Sequence, residues 1–358
     1  MEGLRIALVV SPWYPVPPAG YGGIEVMAFN LARELSNRGH AVTVIGRQGS
    51  QGPFEALALA PASWTKQLGT KDQQARELLF LYRAHETVRR RAFDVVHDNS
   101  GLTGILVASQ SRLQAPVVAT LHGSLTEAEG DFLRSVARQV RLVAISRAQQ
   151  ATVAGLEWHG VVHNAIDAAE YAPVTKPEEK EGYLVELARI TPDKGQHIAI
   201  EVAKRLNVPL VLAGKIEGDS SRYFDEKIKP NLNGNVTWRE NVQGRDKAKL
   251  LARAKALLFP IQWEEPFGLA MVEAMVSGTP VIASRRGAAP EIVEPGVTGF
   301  LADDVDSMVQ AYGRLGEIDL ARCAEEAARR FGPKQMADGY LDVYRRAIEH
   351  NRMSEPPL

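Results

Sequence analysis

The sequence predicts an α/β protein of two tandem domains, each a parallel sheet with helices on both faces. Three observations predict it. Apolar runs of strand length alternate with segments of helical period along all 358 residues, which is the pattern of a parallel sheet covered by helices. That length is roughly twice a usual single domain. After Ile166 the stretch DAAEYAPVTKPEEKEG is polar, charged and carries two prolines, so it reads as an exposed linker between two such series.

LRIALVV reads as a buried strand. Ile24, Met27, Ala28, Leu31 and Leu35 then recur at helical spacing, Gly39 fits a helix stop, and AVTVI is the next strand. DVVH (94–97), PVVATL (116–121), RLVAI (141–145) and VVH (161–163) are further strands. Beyond the linker come the strand GYLVELA, the helix QHIAIEVAKRL, the strand VPLVLAG, the helix DKAKLLARA, the strand KALLFP, a helix from about Phe267 to Val276, and the strand TPVIAS. A last helix, near Lys334 to His350, has Met336, Tyr340, Val343, Tyr344 and Ala347 on one face. The expected domains are 1–170 and 171–335, with 336–358 as a C-terminal helix packing back toward the first. Two doubly wound, Rossmann-like domains facing each other leave a cleft at the carboxyl ends of their strands, where ligands of open α/β sheets bind.

Composition narrows the function. Lys plus Arg (42) nearly cancels Asp plus Glu (43), so no global positive field holds a nucleic-acid backbone, and a nucleic-acid partner is disfavoured. Cys323 is the only cysteine, which rules out an internal disulfide and a cysteine-rich zinc site. The short run IALVV lacks the length of a signal-peptide core, and no apolar run approaches the ~20 residues that cross a bilayer. These features fit a cytoplasmic protein.

The standard nucleotide motifs fail. In GYGGIE the dinucleotide fingerprint needs glycine where Glu25 stands, and Gly214 and Lys215 are followed by Ile216 instead of a P-loop hydroxyl. HETVR and HGVVH lack the carboxylate and helical context of a zinc site. No metal is expected.

The strongest local signal is EEPFGLAMVEAMVSGTPVIA, from Glu264 to Ala283. Pro266 suits a first helical position, leaving backbone N–H groups near Phe267, Gly268 and Leu269 as free donors at an anion-binding helix start. Glu273 follows Glu265 by eight residues, about 12 Å of helix rise, so the two carboxylates can grip two ends of one long ligand and not one atom. A sugar nucleotide meets that requirement. Read by itself, the stretch serves equally as a solvated helix with two ordinary glutamates.

This Glu-x7-Glu stretch, with PFGL inside it and SGTPVIAS after it, closely resembles the donor-site motif of the GT-B glycosyltransferases of family four. GYGGIE, NAID, LARITPDKG and GAAPEIVEPGVTGFLA follow in that family's order, and the resemblance covers nearly the entire chain. It implies a metal-independent, retaining transfer of a sugar from a nucleoside diphosphate sugar to an acceptor hydroxyl by a front-face mechanism, with no cofactor required. UDP is the expected nucleotide because it is the commonest donor among relatives. The acceptor class (saccharide, lipid-linked or small molecule) is not specified.

The resemblance also implies residue roles. Arg189 and Lys194 match the basic pair on the diphosphate, where two cations stabilise a leaving group that gains negative charge. Glu265 matches the glutamate that contacts the donor sugar, without acting as a nucleophile, and Glu273 the one that binds the ribose hydroxyls. Phe267, Gly268 and Leu269 offer backbone N–H groups, and Glu291 matches a Pro-Glu turn near the diphosphate. In the first domain Gly22 and Gly23 match a glycine loop whose N–H groups approach a phosphate. His122 matches a histidine near the donor sugar, with a satisfied core histidine as its alternative. Asp98 and Asn99 lie on the acceptor side or serve as turn and capping residues.

This chain departs from the family pattern at three places: Gly287 is followed by Ala288, the residues before the linker are His163, Asn164 and Ala165, and Trp238 to Asn241 stand where a glycine commonly lies near the base. The Arg-rich segment Asp72 to Phe93 ends in Arg89, Arg90 and Arg91, with Leu78, Leu81, Tyr82 and Val88 on a helical stripe. It can lie on an anionic membrane surface or simply cover a sheet, and the second is favoured. Two rivals are a GT-B epimerase or hydrolase of sugar nucleotides, which should lack the basic pair and Glu-x7-Glu together, and a catalytically silent sugar-nucleotide binding protein, which should have lost one of the four charged residues. All four are present.

Overall fold

The computed structural model describes residues 3–20, 22–216 and 218–354; Tyr21 of the glycine loop and the last four residues of the SEPPL tail lie outside the described residues. The chain forms two compact units: unit 1 is Met1–Ala165 with Pro333–Leu358, and unit 2 is Ile166–Gly332.

In unit 1, β1 (Arg5–Val9), β2 (Ala41–Arg47), β3 (Glu55–Ala60), β4 (Val95–Asp98), β5 (Val117–Leu121), β6 (Val140–Ala144) and β7 (Gly160–Val161) pair in the order β3-β2-β1-β4-β5-β6-β7. Every pairing is parallel. Because strand side chains alternate, β1 sends Ile6 and Leu8 to one core and Ala7 and Val9 to the other. The first core takes Leu31 and Leu35 from helix Gly23–Asn37 and Met336, Tyr340 and Tyr344 from the C-terminal helix Pro333–Ser354. The second takes Phe80, Leu81 and Val88 from helix Gln73–Arg89, together with Ile105 and Leu133.

Polar bonds also tie the C-terminal helix to this sheet. His97 of β4 is fully buried, and its ring nitrogens pair with the Tyr344 hydroxyl at 2.7 Å and the Thr120 hydroxyl at 2.8 Å. Thr120 in turn pairs with the Tyr340 hydroxyl at 2.9 Å. Burial pushes the His97 pKa down to about 3, so the ring works here as a neutral hydrogen-bonding group.

Unit 2 repeats the plan with six strands. β8 (Leu184–Leu187), β9 (Leu210–Ala213), β10 (Val236–Arg239), β11 (Ala256–Phe259), β12 (Val281–Ser284) and β13 (Gly299–Ala302) pair in the order β10-β9-β8-β11-β12-β13, again all parallel. In both units the strand order reverses beside the first strand, between β1 and β4 and between β8 and β11. Loops leaving the carboxyl ends of strands at such a switch point are where open α/β sheets bind ligands.

Three strands carry no clear signal in the sequence: β3, β10 and β13. Each closes an edge of its sheet, so it pairs on one side only. EALALA of β3 is largely exposed or half-exposed and is made of residues that do not favour strands. The stripe read on helix Gln73–Arg89 also divides. Leu81 and Val88 are buried with Ala84 and His85, whereas Leu78 and Tyr82 are exposed. At 100° per residue, positions 81, 84, 85 and 88 share a face and positions 78 and 82 fall on the next one. Among the described residues no helix is long and apolar enough to cross a membrane.

Candidate functional site

In unit 2 the loops leaving β8 and β11 interlock. Gly195 is left-handed at φ 78° and lies so close to Pro260 that a Cβ would stand 2.1 Å from the Pro260 carbonyl oxygen. Gln262 N donates to Asp193 O at 2.7 Å. This contact carries Lys194, at the end of the turn Pro192–Lys194, onto the second loop. Its Nζ lies 2.5 Å from Glu265 Oε2 and 4.4 Å from the centre of the Trp263 ring. Trp263 Nε1 donates to the same oxygen at 3.1 Å. Lys194 is 9% exposed, so this ion pair is shielded and its hydrogen bonds are charge-assisted. Arg189 lies on the same β8 loop, two residues past the strand end, and is exposed.

The helix after β11 starts later than the sequence predicts. It runs Leu269–Val276, with Gly268 as N-cap at φ 84°, a left-handed conformation that cannot belong to an α-helix. Pro266 is therefore not its first residue. Phe267 is buried against Phe331, with ring centres 5.9 Å apart, and only its backbone is available to a ligand. Met271 N bonds back to Gly268 O at 3.0 Å, leaving Leu269 and Ala270 N–H to head the helix without an intrahelical partner.

Glu273 faces its own partners. Its Oε1 accepts from Lys247 Nζ at 2.6 Å and from the Tyr171 hydroxyl at 3.0 Å, and the residue is 8% exposed. Burial and the neighbouring Glu273 carboxylate raise the Tyr171 pKa far above its ordinary value. That phenol keeps its proton and donates it to Glu273. Gly287 N donates to Glu264 Oε2 at 2.6 Å and Ala288 N to Glu265 O at 2.9 Å, so the loop after β12 braces the backbone of Glu265. Glu291 sits in the short helix Ala289–Ile292, and its carbonyl accepts from Arg330 at 2.6 Å.

In unit 1, Gly22 is the N-cap of helix Gly23–Asn37. Glu25, in the first turn, is buried and accepts from Ser11 Oγ at 2.7 Å; desolvation raises its pKa. His122 follows β5 directly, half-buried, with Nε2 at 3.0 Å from Asn99 Oδ1. An amide oxygen only accepts, so Nε2 carries the proton. Desolvation pushes the His122 pKa down to about 4, which keeps the ring neutral. Asn99 Nδ2 is buried without a hydrogen-bond partner, a donor left over at the carboxyl end of β4. Asp98 Oδ1 accepts from Ser100 N at 2.7 Å and from Ser100 Oγ, the bonding of a turn residue. Its Oδ2 stands 3.5 Å from Nε2 of the buried His85.

Sequence reading assigned no site role to Trp263, Lys247, Tyr171, Glu25 or His85. Trp263 immediately precedes the motif stretch, whereas Lys247 and Tyr171 reach Glu273 from 26 and 102 residues away. Among the described residues no group of three or more His, Cys, Asp or Glu side chains is placed to hold a metal ion.

Comparison with known proteins points the same way. The family model described as glycosyl transferases group 1 matches residues 167–322, and the one described as glycosyltransferase family 4 matches residues 21–170. D-inositol 3-phosphate glycosyltransferase of Mycobacterium tuberculosis is 26% identical over 97% of this chain and 84% of its own length. The crystal structure of AviGT4, a glycosyltransferase of avilamycin A biosynthesis, is 28% identical with a TM-score of 0.75, covering 97% of this chain and 98% of that one. Anabaena HepE, solved with UDP and glucose, is 20% identical with a TM-score of 0.71, covering 96% of this chain and all of that one.

Proposed function

Starting from the fact that this chain belongs to glycosyltransferase family four, with the GT-B fold and glycosyltransferase activity, we propose that it moves a sugar from a UDP-sugar to an acceptor hydroxyl with retention at the anomeric carbon and without a metal. The observation that carries the reading is the interlocked pair of loops that sets Lys194 against Glu265 and Trp263 beside the start of helix Leu269–Val276. HepE, solved with UDP and with UDP-glucose, supports the choice of nucleotide.

Lys194 and Arg189 take the diphosphate, joined by the Leu269 and Ala270 N–H groups and the positive end of that helix. As the bond to the anomeric carbon breaks, negative charge grows on the leaving phosphate, and these fixed donors stabilise it more than the ground state. A Lys194 already paired with Glu265 needs little reorganisation, since it only has to share its protons between carboxylate and phosphate. Glu265 then orients the sugar hydroxyls and favours the positive charge that develops on the ring. It is not assigned as a nucleophile. In the front-face reaction the acceptor O–H attacks from the side of the leaving group, and the departing phosphate oxygen takes its proton.

Glu273, held by Lys247 and Tyr171 through Oε1, keeps Oε2 for the ribose. Gly22, Gly23 and Glu291 are assigned to the phosphate end, His122 to the sugar, and Asp98 and Asn99 to the acceptor. The acceptor is a hydroxyl compound of undefined class, the workplace is the cytoplasm, and no cofactor beyond the donor is required.

The test follows acceptor-free turnover of UDP-glucose, UDP-galactose and UDP-N-acetylglucosamine by NMR in EDTA. One donor should release UDP and the α-anomer of its sugar first. A β-anomer as first product contradicts retention, and turnover that returns only with added magnesium contradicts metal independence.

A further inference from the structure

Glu186 lies in β8 beneath the loop that carries Arg189 and Lys194, and it is 1% exposed. A carboxyl inside a parallel sheet is costly unless it is bonded. Its Oε1 accepts from Gln196 Nε2 at 2.7 Å. Gln196 opens helix Gln196–Leu206 and is itself fully buried. The same Nε2 donates to the Arg189 carbonyl at 3.0 Å, while Oε1 accepts from Thr191 N at 3.3 Å. One amide therefore bonds the loop at 189 and at 191, and Glu186 holds that amide from the sheet side. Glu186 Oε2 and Thr191 Oγ1 are both buried without a hydrogen-bond partner.

A well-packed apolar side chain would serve the sheet at least as well as a buried carboxyl. What an apolar residue cannot do is accept from Gln196. Burial raises the carboxyl pKa well above the ordinary range, opposed in part by the Gln196 hydrogen bond and then by Lys194. Burial thus favours the neutral acid over the carboxylate, and in either form Oε1 remains the acceptor for Gln196.

We propose that Glu186 is a positioning residue for the diphosphate end of the donor, acting through Gln196 to fix the loop that presents Arg189 and Lys194. This rests on the reading of those two cations as diphosphate ligands. Glu186 touches no substrate atom. Its effect is confined to how well the loop is set before the phosphates arrive, which predicts a loss specific to phosphate-bearing ligands.

The test measures dissociation constants of UDP by calorimetry and of uridine by ligand-observed NMR, in EDTA, on the full chain. Glu186→Leu and Gln196→Met should each weaken UDP about tenfold, the order of one lost hydrogen bond, and leave uridine within about twofold. The double variant should be no weaker than either single, because the two act as one unit. Glu186→Gln keeps the acceptor oxygen and should remain within about twofold of wild type for both ligands. Unchanged UDP affinity in Glu186→Leu, or equal weakening of UDP and uridine, overturns the proposal. If Glu186→Leu does not fold, Gln196→Met decides it by the same two ratios without altering the sheet. Lys194→Ala separates the two readings: UDP affinity unchanged there means that the diphosphate assignment itself has failed, and a wild type that binds no UDP refutes both.

Discussion

The two switch points are built from the same topology and furnished with opposite chemistry. Around β8 and β11 in unit 2 the loops carry ions in pairs, Lys194 with Glu265 and Lys247 with Glu273, above the buried Glu186–Gln196 bond. Around β4 and β5 in unit 1 neutral hydrogen-bonding groups predominate, with His97 and His122 both held unprotonated by burial and Asn99 bonded to His122, while the Asp98 carboxyl bonds Ser100 and stands beside His85. Paired ions are suited to a charged ligand, because exchanging a carboxylate for a phosphate costs less than desolvating a free cation. Neutral groups suit hydroxyl chemistry and structure. The same fold position therefore carries paired ions in one unit and mainly neutral hydrogen-bonding groups in the other.

The sharpest way to break this contrast is at Lys194. Lys194→Ala should lower donor turnover by about 10²–10³-fold, the loss usual for one transition-state donor, with the fold retained and the melting temperature lowered by the loss of the shielded ion pair. It should also leave Glu265 half-buried without its cation, so the deficit should be larger than that of Glu265→Gln. Turnover near wild type would remove the diphosphate role.

The loop contact comes next. Gly195→Ala places a Cβ against the Pro260 carbonyl at a left-handed φ, a strain of about 1–3 kcal/mol in backbone conformation alone. Unit 2 should lose stability, and UDP affinity should fall because Lys194 and the 260–265 loop can no longer meet. Hydrogen exchange that stays slow in β8 and β11 of this variant would show that the interlock is not needed.

The last effect concerns acid and bears on stability, not on the donor site. His97 has a pKa of about 3 when folded and near 6.5 when unfolded, so between those values the unfolded chain binds more protons. Stability should fall as pH drops from about 6.5 toward 3, by up to about 1.4 kcal/mol per pH unit from this residue. Hydrogen exchange should show faster opening of β4 and β5 at pH 5 than at pH 7, with His97→Leu abolishing about half of that difference, since His122 titrates in the same window. That variant should also be less stable at pH 7, because Tyr344 and Thr120 hydroxyls lose their buried partner. Equal pH response in wild type and His97→Leu would contradict the neutral network.

Local pattern made the central strands and the long helices legible. Helix Gln196–Leu206 coincides with the apolar spacing of QHIAIEVAKRL, and β5 and β11 lie within PVVATL and KALLFP. The start of helix Leu269–Val276 was misread because Pro266 is a common first helical residue, whereas the left-handed turn at Gly268 that actually opens the helix depends on Phe267 packing into the core. Within the candidate site, Glu265 and Glu273 stand out by their spacing alone. Their partners do not, since Lys247 and Tyr171 are brought to Glu273 only by the fold, and the Glu186–Gln196 bond joins a strand to a helix start.

The central claim is that the paired ions of unit 2 form a nucleoside diphosphate site. The measurement that tests it most directly is a thermal-shift panel of UDP, GDP and ADP, each with EDTA and with magnesium, on wild type and Lys194→Ala, because a ligand that binds only the folded state raises the melting temperature by mass action. The account predicts a rise with UDP that is the same in EDTA and magnesium and is largely lost in Lys194→Ala. A shift that requires magnesium, an equal shift in the variant, or no shift with any nucleotide would contradict it.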